Sequence, residues 1–450
     1  MKIIVHFLII LCLAVSGYAQ PKQASATLKG KLAHFGAVAT LEDFSEIQYM
    51  VPKSYNKVIV PEVDSTFAIT IPLKEPGYFR LGRNKLYLSP GDDMQVLIDH
   101  ADASKSTFIG QGSIANNYLR NVPFPKGGSF LEAGKNLQDT PEETLLFLLK
   151  IFQQKENELA ALKNIGSAFR KLEKARNKAD LVNSMLSVKS YAAYKLKKEP
   201  KEKITAYTET FDRISKPVKD SLLNNFANPS YLQIEVYRDI IDELDLSNLT
   251  PSFKQAFADW NNAYTLAYKK IKPESNKAMV PGYKKDIQAI RSKKYRDILN
   301  LLVMDKLKFG NGDQAIDFMV YKTDGTKTSL SNLKGKVIYI DIWATWCGPC
   351  LAEMPNFEKL KTEYANRSDL AIVSLSVDDN DPVWLENLGK RKPEGIQWRI
   401  DRAKLTEYGV ETIPRYILID KSFRIVEMDA PRAADPALRR ILEKLLISTN

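Results

Sequence analysis

The sequence predicts a multidomain protein with a β-rich N-terminal domain, an all-α middle region and a C-terminal α/β domain. Residues 65–98 contain short alternating apolar and polar runs separated by Pro-Gly turns, as in antiparallel strands. Residues 126–305 carry apolar residues at helical spacing, interrupted by prolines. Residues 337–343 form a β-branched and aromatic run directly before a helical stretch, which predicts a buried strand followed by a helix. A chain of 450 residues is long enough for about three domains.

Residues 1–19 are predicted to be a secretory signal peptide. An apolar run at residues 3–15 follows a basic residue and ends in small residues, which predicts cleavage after Ala19. The run is too short to span a membrane comfortably. Leu11 occupies the position before Cys12 where a lipidated cysteine requires a small residue, so a lipoprotein is disfavoured. These features predict export to the periplasm.

Residues 24–122 are predicted to form a β-sandwich-like domain. Residues 65–71 alternate between two faces, and residues 78–81 and 85–88 follow a Pro-Gly turn. Residues 94–98 follow a second such turn. We recognise no catalytic constellation in this domain.

Residues 126–305 are predicted to be helical, after a boundary rich in proline and glycine. Thr140 and Glu143 form a capping box with Pro141 at the first helical position. The predicted helix places four apolar residues on one side, Leu145, Leu148, Leu149 and Phe152. Further amphipathic helices are predicted between successive prolines, which are Pro200, Pro217, Pro229, Pro251, Pro273 and Pro281.

The chain carries a net charge of +11. Its lysine-rich stretches at residues 170–178 and 195–201 also contain glutamates, which is typical of solvated helix faces. Nucleic acid is not an expected partner for an exported protein. Weak peripheral contact with anionic lipid or acidic partners is the functional alternative.

The C-terminal domain, residues 310–450, contains a Cys-x-x-Cys pair at the end of the predicted buried strand. Cys347 would begin the following helix, where free backbone N–H groups and the helix dipole favour a thiolate. After signal-peptide cleavage Cys347 and Cys350 are the remaining cysteines. A purely structural disulfide would close too small a loop to stabilise much. Zinc would need two more ligands, and His34 and His100 are far away in sequence.

Six stretches of this region form a characteristic set, residues 318–320, 324–325, 333–336, 343–350, 353–355 and 412–414. With them the region resembles the thioredoxin superfamily, most closely its exported TlpA/ResA-like thiol–disulfide oxidoreductases. The β-rich domain resembles a domain of unknown function that is commonly fused in front of exported thioredoxins. A peroxiredoxin is excluded, because that chemistry needs a threonine and a proline where this chain has Ala344 and Ile340.

The resemblance implies a thioredoxin fold for residues 310–450, with Cys347 as the attacking thiolate and Cys350 as the resolving cysteine. It also implies a cis peptide bond at Ile413-Pro414, packed against the cysteines where substrate backbone would pair. We expect no cofactor and no metal.

Two carboxylates accompany the cysteines. Asp341 interrupts an apolar strand and matches the buried acid of thioredoxins that accepts the resolving cysteine's proton; a structural aspartate is the alternative. Glu353 lies three residues after Cys350 on the same helix, where exported members of the family often carry a glutamate. A solvated helix carboxylate is the competing interpretation. We expect Trp346 to be an exposed platform beside the sulfur and Trp343 to be core.

These expectations together predict a periplasmic oxidoreductase that reduces disulfides of exported client proteins. Gly348-Pro349 and Ile413 match reducing thioredoxins better than oxidases. A membrane thiol transporter is the implied electron donor. A disulfide oxidase or isomerase is one alternative. The other is an envelope protein in which residues 24–305 bind a client or a glycan and the thioredoxin domain acts on the bound partner.

Overall fold

The computed structural model describes residues 24–36, 38–274, 277–379, 381–405, 407–410 and 412–447. The predicted signal peptide and Cys12 lie outside the described residues. The chain divides into two compact units. Unit 1 contains the described residues up to Glu46 and Asn56–Asn248, and unit 2 contains Ile47–Tyr55 and the described residues from Leu249 onwards. The predicted helical region is thus shared between the units, and the domain boundaries drawn from the sequence stay predictions.

The β-rich part of unit 1 consists of two four-stranded sheets within the described residues, with strand orders β4-β1-β7-β8 and β3-β2-β5-β6. Alternating side chains, such as Met94, Val96 and Ile98, form the core. The β-rich N-terminal domain is therefore confirmed. The strands are β1 (Ser25–Ala33), β2 (Ala39–Asp43), β3 (Lys57–Ile59), β4 (Thr66–Pro72), β5 (Gly77–Leu81), β6 (Asn84–Leu88), β7 (Asp93–Asp99) and β8 (Thr107–Gln111).

The remainder of unit 1 is helical. The capping box at the start of the first long helix is present, because the Thr140 side chain accepts from the Glu143 N–H. Leu148 of that helix packs in a core with Leu181 and Phe211 of the next two. The helices are α1 (Ser113–Leu119), α2 (Pro141–Ala161), α3 (Ser167–Lys195), α4 (Lys201–Leu223) and α5 (Glu235–Asp239).

The prediction that Pro217 separates two helices is wrong, because it lies inside α4. A proline in a helix loses one backbone hydrogen bond and clashes with the preceding turn. Phe211 of the same helix is buried in the core that it shares with Leu148 of α2 and Leu181 of α3. Tertiary packing therefore outweighs the local cost of the proline.

Unit 1 also buries a group of charged side chains where β5 and β6 meet α3. Glu173 is fully buried and accepts hydrogen bonds from Tyr78 Oη at 2.5 Å and from Arg176 Nε at 2.9 Å. Lys85 Nζ lies 3.4 Å from Glu235 Oε2. Buried charges of opposite sign therefore join the sheet to the helices.

Unit 2 begins with helices and the segment Ile47–Tyr55. These helices are α6 (Pro251–Tyr264), which continues into a π-helical stretch (Thr265–Ile271), α7 (Lys284–Ala289) and α8 (Lys293–Lys306). In Ile47–Tyr55, Met50 is fully buried and the Tyr49 ring lies 5.4 Å from the Tyr268 ring.

The C-terminal part of unit 2 is a seven-stranded mixed sheet, in the order β10-β9-β13-β12-β11-β14-β15. All seven residues of β11 are buried. It runs parallel to β12 and antiparallel to β14. The elements are β9 (Met319–Lys322), β10 (Lys327–Ser329), β11 (Val337–Trp343), α9 (Gly348–Glu363), β12 (Leu370–Ser376), α10 (Asp381–Arg391), β13 (Ile396–Arg399), β14 (Arg415–Ile419), β15 (Ile425–Glu427) and α11 (Pro436–Ile447).

In the described part of the chain, no helix combines the length and apolarity needed to cross a membrane.

Candidate active site

The two cysteines lie where β11 passes into α9. After the strand, residues 344–347 form a turn in which the Cys347 N–H donates to the Ala344 carbonyl at 3.1 Å. Cys347 is the N-cap residue of α9, and its Sγ accepts from the Cys350 N–H at 3.3 Å. Cys347 and Cys350 are joined by a disulfide, and both are buried. One of the free backbone N–H groups at the start of the helix is thus directed at the first sulfur.

Two tryptophans lie just before the disulfide in the sequence, and they differ in exposure. Trp346 is 60% exposed and directly precedes Cys347, whereas Trp343 is 1% exposed. The predicted exposure of Trp346 and the predicted burial of Trp343 are therefore confirmed. The Ile413-Pro414 peptide bond is cis. Ile413 packs on the same apolar cluster as both cysteines.

Asp341 lies in β11, opposite Ser374 of β12 and Tyr416 of β14. It is 4% exposed, and its Oδ1 has no hydrogen-bond partner among the described residues. Burial raises the pKa of Asp341 from 3.8 to about 7; the charge of Lys361 opposes this increase, and Glu353 adds to it. Asp341 can therefore gain or lose a proton near neutral pH.

Glu353 is half-buried on α9. Its carboxylate accepts from the Ala434 backbone N–H at 3.0 Å and from the Asn356 side-chain amide at 3.3 Å. These contacts fix the carboxylate, and its negative charge contributes to the raised pKa of Asp341.

A cavity of about 300 Å³ adjoins the sheet on the side where Trp343 of β11 and Ser374 of β12 lie. Trp343, Ser374 and Glu358 are among its lining residues. The indole N–H of Trp343 and the side-chain oxygen of Asn387, which also lines the cavity, are buried without a partner among the described residues. A cavity of this size with polar groups is suited to water.

Asp378 is a site residue that the sequence did not reveal. It is 3% exposed and follows β12. Its carboxylate accepts from the Thr345 N–H at 3.0 Å and from the Thr345 hydroxyl at 2.7 Å. The sequence offered only an indirect signal for Asp378. Two consecutive buried strands are commonly parallel, and the residues that follow parallel strands lie at the same edge of the sheet.

Comparison with known proteins places this site in a family. Residues 310–443 match the family model described as Redoxin. The thiol–disulfide oxidoreductase ResA of Bacillus anthracis is 32% identical over 143 residues, which cover 31% of this chain and 82% of that protein. The chain belongs to the ResA-like thiol–disulfide oxidoreductases. The predicted family, thioredoxin fold and enzyme class are therefore confirmed.

Two further relatives of this ResA-like chain match over a similar length. ResA of Bacillus subtilis is 27% identical over 135 residues, covering 29% of this chain and 73% of the relative. A crystal structure of a Bacteroides vulgatus protein, assigned as a thiol–disulfide oxidoreductase, is 39% identical; the match covers 30% of this chain and 96% of that chain, with a TM-score of 0.29. The similarity thus concerns about a third of the chain.

Proposed function

We propose that this ResA-like chain is an exported reductase that opens disulfides in exported client proteins through Cys347 and Cys350. The observation that carries the proposal is the position of Cys347 Sγ at the N-terminus of α9, where it accepts a backbone N–H at 3.3 Å. In the reduced protein the same donors and the helix dipole favour the thiolate, which is the attacking species.

Reduction then proceeds in two exchanges. The Cys347 thiolate attacks one sulfur of the client disulfide; a bond forms between Cys347 and the client, and the other client sulfur leaves as a thiolate that takes up a proton. The Cys350 thiol then loses its proton and attacks Cys347 Sγ; the bond between Cys347 and the client breaks, and the second client sulfur leaves as a thiolate that takes up a proton. The client has gained two electrons, and the protein ends with the Cys347–Cys350 disulfide.

We assign the proton transfer in the second exchange to Asp341. Its pKa of about 7 allows it to accept the Cys350 proton at neutral pH and to release it afterwards. Glu353 is assigned an electrostatic role, because its negative charge favours the protonated form of Asp341.

Client recognition is assigned to Trp346, Ile413 and Pro414. The exposed indole of Trp346 offers a flat apolar surface beside Cys347. Ile413 and Pro414 directly precede β14, which pairs with β11 up to Ile342. A client segment held between these residues would bring its disulfide to Cys347.

We propose a periplasmic location on the basis of the predicted signal peptide, and an enzyme there needs a source of electrons. A membrane thiol transporter is the donor we propose, because the oxidised disulfide must be reopened after each turnover. The net charge of +11 is compatible with peripheral contact with an anionic membrane surface.

Insulin reduction driven by dithiothreitol tests the direction of the reaction. Gly348-Pro349 and Ile413 favour reduction, so the wild type is expected to accelerate insulin precipitation strongly and to oxidise a reduced, unfolded protein poorly. Cys347→Ser is the inactive control. Efficient oxidation without insulin reduction would show an oxidase instead. The client can be identified with Cys350→Ala, which cannot resolve the mixed disulfide and retains the client covalently.

A further inference from the structure

The turn that ends at Cys347 is held by the carboxylate of Asp378, which takes no part in the two thiol–disulfide exchanges. In the turn of residues 344–347, the N–H of Thr345 faces inward. It donates to both carboxylate oxygens of Asp378, at 3.1 and 3.0 Å, and the Thr345 hydroxyl adds a third contact at 2.7 Å.

Asp378 is itself held in place by its neighbours. The Ser376 hydroxyl donates to Asp378 Oδ2 at 2.7 Å, and the Asp378 N–H donates to Ser376 Oγ at 3.0 Å. Arg399 Nη1 donates to the Asp378 backbone carbonyl at 3.3 Å. The carboxylate therefore belongs to the sheet, because Ser376 ends β12 and Arg399 ends β13.

We propose that Asp378 is a positioning residue for the dithiol. By fixing Thr345 to the edge of the sheet, it keeps Cys347 Sγ next to Cys350 when no covalent bond joins them. This inference rests on the proposed function, in which the protein cycles between dithiol and disulfide.

The carboxylate matters most in the states without the intramolecular disulfide. In the oxidised protein the sulfur–sulfur bond itself holds Cys347 close to Cys350. In the dithiol and in the mixed disulfide, their proximity depends on the turn. A well-oriented pair of reacting groups has a high effective concentration, which falls when the orientation is lost. Removing the Asp378 carboxylate should therefore disfavour ring closure, both at equilibrium and in the resolving step.

The test compares Asp378→Ala with Asp317→Ala in the full-length protein. The Asp317 carboxylate accepts from the hydroxyls of Ser329 and Ser331 and from the Ser331 N–H, so it makes a similar number of contacts away from the cysteines. The first measurement is the equilibrium between the protein dithiol and oxidised glutathione, which yields the protein disulfide and two reduced glutathione molecules. The second is the single-turnover release of a small thiol from a preformed mixed disulfide on Cys347.

For Asp378→Ala we expect the equilibrium constant for disulfide formation to fall about tenfold, which raises the reduction potential by about 30 mV. Release from the mixed disulfide should slow by a similar factor. Asp317→Ala should match the wild type in both measurements. Asp378→Asn keeps one acceptor oxygen for Thr345 and should lie between the wild type and Asp378→Ala.

Thr345→Val supplies a second variant if Asp378→Ala does not fold. It removes the hydroxyl contact and keeps the backbone N–H, so a smaller change in the same direction is expected. Wild-type values in Asp378→Ala, or in Thr345→Val where only that variant folds, would overturn the proposal, as would equal changes in the Asp378 and Asp317 variants. Neither measurement uses a client, so failure of the wild type to reduce insulin would refute the proposed direction without deciding the role of Asp378.

Discussion

Asp341 shows how burial changes an ordinary carboxyl group. The side chain belongs to an otherwise apolar strand, and its Oδ1 has no hydrogen-bond partner among the described residues. An ionised carboxylate in such a place loses its hydration without a compensating hydrogen bond. The protonated form is therefore favoured, and the pKa rises to about 7. The same property that makes the group unfavourable for folding makes it useful for proton transfer.

Asp341→Asn should slow the resolving exchange. Asparagine keeps the shape and polarity of the side chain but cannot accept the Cys350 proton. General-base catalysis typically contributes at least about 10²-fold, so release from a preformed mixed disulfide should slow by roughly that factor. The first attack by Cys347 should change much less. Single-turnover release, measured from pH 6 to 9, tests this expectation, and equal rates at every pH would leave Asp341 a structural residue.

The same substitution should change the pH dependence of stability. Because the pKa of Asp341 is raised on folding, the folded state binds more protons than the unfolded state between about pH 4 and 7. The free energy of unfolding therefore falls as pH rises through this window. From this group we expect the wild type to be about 2–3 kcal/mol more stable at pH 5 than at pH 8.

Urea unfolding of the oxidised proteins at the two pH values measures this difference. In Asp341→Asn the contribution should vanish, and the variant should be more stable than the wild type at pH 8, because a buried carboxylate without a partner is costly. A constant difference in stability between the two proteins at both pH values would contradict the raised pKa.

At the scale of the element, α9 brings together most of the proposed chemistry. Its N-cap is Cys347, its first turn contains Cys350, and Glu353 lies on the next turn. Lys361 lies near its end, with its ammonium held by Glu358 Oε1 at 2.8 Å and by the Glu394 carbonyl at 2.7 Å. One helix therefore supplies both sulfurs and three charges that act on Asp341: Lys361 lowers its pKa, whereas Glu353 and Glu358 raise it.

The N-terminus of α9 should make the two thiols unequal. In the reduced protein, iodoacetamide at pH 7 is expected to label Cys347 about tenfold faster than Cys350. A thiolate stabilised to a pKa near 7 is about half ionised, whereas an ordinary thiol is only a few per cent ionised. Mass spectrometry of the labelled peptides over time gives both rates. Faster labelling of Cys350 would reverse the assigned roles.

The elements that the sequence predicted correctly are those with local signals. Strand alternation identified residues 65–98, and the buried run identified β11. The capping box at Thr140 was visible because its two partners are three residues apart. The prediction at Pro217 was wrong because burial of α4 against other helices compensates for the cost of a proline inside a helix. Such compensation depends on contacts that no short window of sequence contains.

The candidate site was predictable to a similar extent. One continuous stretch of sequence contains Asp341, Cys347 and Cys350. The cis peptide bond before Pro414 was predicted through the family resemblance. Asp378 was missed because its link to Thr345 exists only once β11 and β12 pair in parallel. The contacts of Glu353 with Ala434 were likewise hidden, since they join residues that are distant in sequence.

At the scale of the whole molecule, unit 1 is held together partly by buried charges. Arg176 is 2% exposed, and its guanidinium group is neutralised by Glu173 and lies 4.8 Å from the Tyr78 ring centre. A buried ion pair contributes little over an apolar pair of the same size, but breaking it by removing one partner is costly. Unit 1 should therefore be sensitive to single charge removals at this place.

Glu173→Gln should destabilise unit 1 by about 3 kcal/mol, because it leaves the buried Arg176 cation without its nearest anion. Glu199→Gln, which breaks an exposed pair with Lys203, should change stability by less than about 0.5 kcal/mol. Urea unfolding followed by far-UV circular dichroism compares the two variants. Equal effects would show that burial of the pair is unimportant.

The membership of Ile47–Tyr55 in unit 2 has a consequence for the order of folding. This segment is synthesised early, but the two rings that contact Tyr49, those of Tyr264 and Tyr268, come after Leu249 in the chain. At about 5–20 residues per second, the ribosome needs on the order of ten seconds or more to make the intervening chain. Unit 2 therefore cannot complete its core in the order of synthesis, because the early segment must wait for the later helices.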